Sequence, residues 1–272
     1  MASTTHENPD FRKFIRSVLE RADLGEKYMD MFTDKTSMIE FTKAFTHKSI
    51  DPIDNYEFYE ILGDSTTNKV VVWYFIRRYP EIFDEAKGKG GNMGPVAIMA
   101  RLKMNGISKK TYSGFSDAMG FWNYIRRSDE EYKNKTKIME DVFESFCGCL
   151  ELLIDTRVTE HSGYGIVYKI MKTLMDPINV SLEREGLYDS KSRLNEEIIK
   201  RKLKIEYIAK VDRDLSDSDP TAFNRRFQVF ARITNPYNGR KVDTMVFVGA
   251  SKKIAETSAA KYVLDGSLYL KV

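Results

Sequence analysis

Asn55-Tyr56-Glu57-Phe58-Tyr59-Glu60-Ile61-Leu62-Gly63-Asp64 carries acids at positions 57, 60 and 64. On an α-helix the spacing i, i+3, i+7 stacks them on one face. No cation sits between them, so their charges repel. Apolar residues surround them: Tyr56, Phe58, Tyr59, Ile61 and Leu62, then Val70, Val71, Val72, Trp73, Phe75 and Ile76. A helix apolar nearly all round is expected to be buried. Buried carboxylates are costly unless a cation neutralises them. An internal acidic face therefore points to a divalent-metal site.

A second acidic pair lies in Lys137-Ile138-Met139-Glu140-Asp141-Val142-Phe143-Glu144-Ser145-Phe146-Cys147-Gly148-Cys149. Asp141 and Glu144 stand i, i+3 on a helix that also reads as buried. Either pair alone reads better as solvent-facing acids. Both together, inside apolar helices, favour a shared metal site with four carboxylates. Hard oxygen ligands suit Mg²⁺ or Mn²⁺.

These residues resemble a known family. Glu57-x-x-Glu60-x-x-Gly63-Asp64 is similar to the signature helix of the ribonuclease III family. Lys137-x-x-x-Asp141-x-x-Glu144-x-x-x-Gly148 resembles that family's second acidic helix, in its Dicer-like form with the lysine. Phe45-Thr46-His47-Lys48-Ser49 resembles the family's Thr-His-x-Ser segment, and it precedes the first helix as expected. The family's arginine between the first two acids is Phe58 here, and its leucine is Tyr59. The asparagine before the first acid is Tyr56, with Asn55 shifted by one. No departure removes a carboxylate.

The 272 residues allow two domains or one large one, and 42% hydrophobic with 31% charged residues is ordinary for a globular protein. No apolar run of about 18 residues exists, so no membrane span is expected. The opening residues Met1-Ala2-Ser3-Thr4-Thr5-His6-Glu7 lack the apolar core of a secretory leader. Cys147 and Cys149, two apart on a helix, cannot bridge, and read as core-filling thiols. An intracellular setting follows as the expectation, cytoplasmic or nuclear, in a host cell if the source is a virus.

The net charge of +3 conceals an asymmetry. Residues 187–272 carry 17 Lys/Arg against 11 Asp/Glu, whereas 1–186 carry 26 against 29. A basic part suits a polyanion and an acidic part suits metal ions.

In chain order, Phe11, Phe14, Ile15, Val18 and Leu19 recur at helical spacing. Short helices follow at Met29–Phe32 and Met38–Phe45, and Pro80 closes the long first acidic helix. Lys87-Gly88-Lys89-Gly90-Gly91 lacks phosphate-loop spacing and reads as a surface loop. Val96–Met104, Ser113–Met119 and Tyr164–Met175 are helical. Residues 1–175 therefore read as all-α. Asp176 to Ser190 reads as a linker.

Beyond it the pattern changes. Leu194, Ile198, Ile199 and Leu203 mark a helix. Ile205–Val211, Phe227–Thr234 and Lys241–Val248 read as strands, with a turn at Pro236-Tyr237-Asn238-Gly239. Ala255, Ala259, Tyr262 and Val263 mark a closing helix. This α-β-β-β-α order resembles the double-stranded RNA-binding domain. The resemblance is specific at Ser251-Lys252-Lys253-x-Ala255-Glu256-x-x-Ala259-Ala260, where a helix N-terminus and two lysines favour phosphate. Ser192-Arg193-Leu194-Asn195-Glu196 is similar to the family's first helix. The resemblance implies RNA contacts from Asn195, Glu196, Lys252 and Lys253. One departure is the loop between the first two strands. It lacks the usual Gly-Pro-x-His, with Phe223 at the His position, and carries Asp212, Asp214, Asp217 and Asp219.

The fold class expected is an all-α ribonuclease III-type nuclease domain over 1–180. A small α+β double-stranded RNA-binding domain follows over 188–272. The resemblance implies a Mg²⁺-dependent endoribonuclease, with Mn²⁺ substituting, that cuts double-stranded RNA as a homodimer and leaves 5′-phosphates and short 3′ overhangs. Glu60, Asp64, Asp141 and Glu144 form the expected metal set, with Asp64 and Glu144 the least dispensable. Glu57 and Lys137 complete the expected catalytic group. Two other readings remain open on the residues alone. One is a non-catalytic double-stranded RNA binder, a scaffold or silencing suppressor. The other is a helical metal enzyme acting on small diphosphates.

Overall fold

The computed structural model describes residues 8–83, 94–211 and 227–272. The Lys87–Gly91 stretch and the acidic segment 212–226 lie outside the described residues. The chain divides into two compact units, Met1–Val180 and Ser181–Val272.

The first unit is helical: α1 (Pro9–Leu19), α2 (Glu26–Phe32), α3 (Lys35–Ala44), α4 (Glu57–Arg78), α5 (Pro95–Gly106), α6 (Lys109–Met119), α7 (Lys135–Arg157) and α8 (Gly163–Met175). Local chemistry sets several ends. The Asn8 side chain accepts from the Asp10 and Phe11 amides, and Pro9 fills the first helical position, where no donor is needed. Asp34 caps α3 by accepting from the Ser37 amide. Gly120, at φ 76°, ends α6 in the left-handed region that glycine tolerates.

α7 is the central helix, packed against α3, α4, α6 and α8. Its residues Ile138 to Leu150, Glu140 apart, are all buried, including Cys147 and Cys149. Phe146 joins an aromatic core with Phe41, Phe45 and Phe121, whose rings meet at 4.9–6.4 Å. Each such fully buried ring contributes about 1.5–3 kcal/mol. At its far end Arg157 clamps α7 to the turn before α3. Its guanidinium grips both Asp34 oxygens, at 3.0 and 2.6 Å, and donates to the Met31 carbonyl.

α4 corrects the expectation of a helix buried all round. Val70, Val71, Tyr74 and Phe75 point inward, but Phe58 is 66% exposed and Ile61 73% exposed. The helix is one-sided because only one face meets α7. The only β-pairing in this unit, among the described residues, is a bridge between Thr46 and Arg126.

The second unit opens with a short helix, α9 (Arg184–Leu187), inside the expected linker, then α10 (Ser190–Lys200). β1 (Lys204–Val211) pairs antiparallel with β2 (Phe227–Thr234). The single third strand expected over 241–248 is two pieces, β3 (Lys241–Asp243) and β4 (Phe247–Gly249), both antiparallel to β2. Arg232 faces Asp243 while Val229 faces Phe247, so the edge carries one extra residue between them, a bulge. Thr244 bridges the interruption, its hydroxyl accepting from the Ala231 amide. α11 (Lys252–Asp265) and α10 cover the sheet, burying Leu194, Ile198, Ala231, Ile233, Ala259, Ala260 and Val263. Among the described residues, no helix is long and apolar enough to cross a membrane.

Candidate metal centre

The site begins with two glycines. A Cβ on Gly63 would lie 1.7 Å from the Glu144 carbonyl oxygen, and one on Gly148 would lie 2.2 Å from the Tyr59 carbonyl oxygen. α4 and α7 thus touch backbone to backbone where they cross. That contact brings the acids flanking each glycine together.

One carboxylate oxygen from each of Glu60, Asp141 and Glu144 falls within 4.8 Å of the others. Asp141 and Glu144 are buried and Glu60 is half-buried. Lys137, one turn before Asp141, donates to its Oδ1 at 2.8 Å. The Tyr56 hydroxyl donates to the other oxygen, Oδ2, at 3.2 Å. The remaining two carboxylates are held less well. Burial, then the charge of Asp64, pushes Glu144 up to about 8. Burial, then the charge of Asp141, pushes Glu60 up to about 7, with Lys137 opposing. Lys137 is itself raised, chiefly by its bond to Asp141. One lysine among three clustered acids leaves negative charge uncompensated. The donor set, all hard oxygens around one point, fits a divalent cation.

The expected ligand Asp64 stands outside this three-residue cluster. It is exposed, one turn beyond Glu60, and its Oδ1 accepts from Asn68 at 2.8 Å. Glu57 is exposed and paired with Lys48 at 2.7 Å. The three acids share a helix face, but only the middle one joins Asp141 and Glu144.

Tyr56 was legible only as a departure from the family pattern. Its partner Asp141 is 85 residues away, and nothing local marks the contact. The Thr46-His47 segment supports it: the Tyr56 amide donates to the Thr46 carbonyl at 3.0 Å, and the His47 amide to the Arg126 carbonyl at 2.8 Å. His47 is buried, its Nδ1 2.8 Å from the Ser49 hydroxyl.

In the second unit, Asn195 and Glu196 are exposed on α10, and Lys252 and Lys253 are exposed in the first turn of α11. Ser251 caps that helix, accepting from the Ile254 amide at 3.3 Å. Gly249 lets the strand end pass close by, since a Cβ there would lie 3.0 Å from the Ala255 nitrogen.

A helical unit with clustered acids and one lysine at a crossing of two central helices defines a class: a metal-site domain suited to hydrolysis of phosphate esters. A family model described as the ribonuclease III domain matches residues 57–153, which span both acidic helices. A protein of Invertebrate iridescent virus 6 described as a ribonuclease 3 is 35% identical over 206 residues, covering 71% of this chain and 68% of that protein. Ribonuclease 3 of Streptococcus agalactiae is 26% identical over 256 residues, covering 93% of this chain and 98% of its own. The crystal structure of the nuclease domain of ribonuclease III from Campylobacter jejuni is 21% identical. It covers 61% of this chain and 98% of that one, with a TM-score of 0.43. The chain belongs to the ribonuclease III family and is a ribonuclease of that type.

Proposed function

We propose that this chain is a Mg²⁺-dependent endoribonuclease that cuts double-stranded RNA as a homodimer, leaving 5′-phosphates and short 3′ overhangs. The observation that carries the reading is the convergence of Glu60, Asp141 and Glu144 from two helices onto one point. Divalent cations held there would supply an activated water and a stabilised leaving oxygen. Glu60, Asp141 and Glu144 would hold the cations, with Asp64 completing the set. Lys137 and Tyr56 fix the two oxygens of Asp141. Lys137, with 59% of its side chain exposed, is placed to meet phosphate charge. Glu57, tied to Lys48, secures the start of α4. Mn²⁺ suits the same oxygens.

The homodimer is supported by the exposed Phe58 and Ile61, which lie on α4 beside the acids. Apolar side chains this exposed on one helix suit an isologous contact with a second copy. Two copies supply one cut in each strand. We read the second unit as a double-stranded RNA-binding domain, supported by its element order and by Lys252 and Lys253 at the α11 N-terminus. The viral relative favours the interior of a host cell as the setting.

The direct test is product mapping. A defined RNA duplex labelled at each 5′ end is incubated with Mg²⁺ or with EDTA. Paired cuts with 5′-phosphate ends, absent in EDTA, are expected. Binding without cutting would replace the nuclease by a scaffold.

Glu60 and Glu144 take up protons as pH falls through about 7 and about 8. Ligand carboxylates must be ionised, so protons compete with the metal. Mg²⁺ affinity is expected to fall about tenfold or more between pH 8.5 and 6, with protons released on binding. Calorimetric titration in buffers of different ionisation enthalpy measures both, and a pH-independent affinity would contradict the assignment. In the second unit, Lys252→Ala with Lys253→Ala is expected to lower duplex affinity about tenfold or more and to reduce the salt slope by about two. Filter binding in EDTA at several salt concentrations checks this.

A further inference from the structure

Away from the acids, the C-terminal half of α4 and the start of α8 border an open cavity of about 490 Å³ lined by Trp73, Arg77, Tyr164, Gly165, Tyr168 and Lys169. Helical spacing builds it. Lys69, Trp73 and Arg77 follow one another at i, i+4 on α4, and Tyr164 and Tyr168 do so on α8. The Arg77 guanidinium lies 5.7 Å from the centre of the Trp73 ring and 5.6 Å from that of Tyr168. The Lys69 ammonium lies 4.4 Å from the Tyr164 ring. Gly165 leaves the wall open, since no atom lies within 4 Å of where its Cβ would be. Among the described residues, no carboxylate lines the cavity. Glu151, on the neighbouring α7, is engaged by the Thr66 hydroxyl instead.

Three aromatic rings and two cations without an acid form an unusual wall for a protein surface. Exposed cations are ordinarily interspersed with acids. The cavity offers flat π-faces and positive charge. Its size falls in the usual range for small-molecule pockets, about 300–1,000 Å³.

We propose that this cavity binds an unpaired nucleotide, its base stacked on Trp73 or Tyr168 and its phosphate met by Arg77 and Lys169. A planar guanidinium already lies within reach of both ring faces. A base in that position leaves Arg77 to turn toward the phosphate. Stacking accepts any base, so the site discriminates unpaired from paired nucleotides and not one base from another. The nucleotide comes either from a single-stranded stretch of RNA or from solution as a mononucleotide.

The protein holds two tryptophans, Trp73 and Trp122. Trp122→Phe leaves Trp73 as the sole indole, and a base stacked on it quenches its emission. The full chain carrying that change is titrated in EDTA with a 5′-phosphorylated uridine hexamer and, separately, with uridine monophosphate. Saturable quenching is expected from at least one of them. Quenching by both at similar concentrations identifies the mononucleotide as sufficient, and quenching by the hexamer alone identifies RNA. Tyr168→Leu and Lys169→Glu should each weaken binding about tenfold. Lys169 is exposed, so its replacement leaves the fold intact even if the tyrosine variant fails. No quenching by either ligand would overturn the proposal. So would quenching indifferent to Lys169→Glu, or equal competition by ribose 5-phosphate, which lacks a base. The measurement needs no cleavage and no metal, so its outcome is independent of the proposed nuclease activity.

Discussion

Glu144→Gln reduces cleavage of an RNA duplex by about a thousandfold or more while making the metal-free protein more stable. The two effects share one cause. Partners that only orient a metal ligand are worth about 10–100-fold, so a direct ligand exceeds that. The same carboxylate is a liability without metal. Its folded-state value of about 8 lies well above the ordinary carboxylate value, because burial and Asp64 oppose its ionisation. The folded form therefore binds more protons than the unfolded form across the interval between the two values. Metal-free stability falls as pH rises through that interval, and the whole cost is present above about pH 8. Glutamine cannot ionise and removes that cost. The gain is expected to be on the order of 1–3 kcal/mol at pH 8.5 and near zero at pH 4.5. Thermal unfolding in EDTA at both pH values measures it. Asp64→Asn supplies the contrast: cleavage falls, and metal-free stability at pH 8.5 rises by less than for Glu144→Gln, because only the repulsion on Glu144 is removed and its burial remains. If Glu144→Gln lowered the melting temperature at pH 8.5, protein groups rather than a metal would be what the carboxylate answers to.

Gly63→Ala destabilises the first unit by about 3 kcal/mol or more, a large effect for one methyl group. The new Cβ would sit 1.7 Å from the Glu144 carbonyl oxygen and 2.5 Å from its carbon. Both are helix backbone, so no side-chain rotation relieves the overlap. α4 and α7 must separate, and the contact between two central helices loosens along its length. Any folded remainder loses activity as well, because the shift parts Glu60 from Glu144. Urea unfolding followed by near-ultraviolet circular dichroism measures the loss. Gly114→Ala on α6 is the control, since nothing lies within 4 Å of its Cβ position. That change should stabilise by about 0.5–1 kcal/mol through helix propensity alone. Equal behaviour of the two variants would show that the α4–α7 crossing tolerates a wider spacing.

Pattern along the chain carried the readings that depend on neighbours. The spacing of Glu57, Glu60 and Asp64, and of Asp141 and Glu144, announced paired acids because a helix brings i, i+3 and i+4 together whatever surrounds it. The strands around Phe227–Thr234 were legible because β-branched and aromatic residues cluster there. The interruption between β3 and β4 was not. One inserted residue at an edge leaves no compositional mark, and pairing with β2 alone reveals it.

What the amino-acid order determined by itself was the membership of each helix and the acids it carries. What the tertiary structure decided was which acid faces inward. Glu57, Glu60 and Asp64 are chemically alike and share a stripe, yet Glu60 alone joins Asp141 and Glu144. The choice belongs to the crossing at Gly63 and Gly148, which sets how closely α4 meets α7. The same crossing turns Phe58 and Ile61 outward, where composition had them buried. The reason is geometric. Periodicity specifies neighbours within a helix, but contact between helices distant in sequence depends on backbone clearance, a property of the pair.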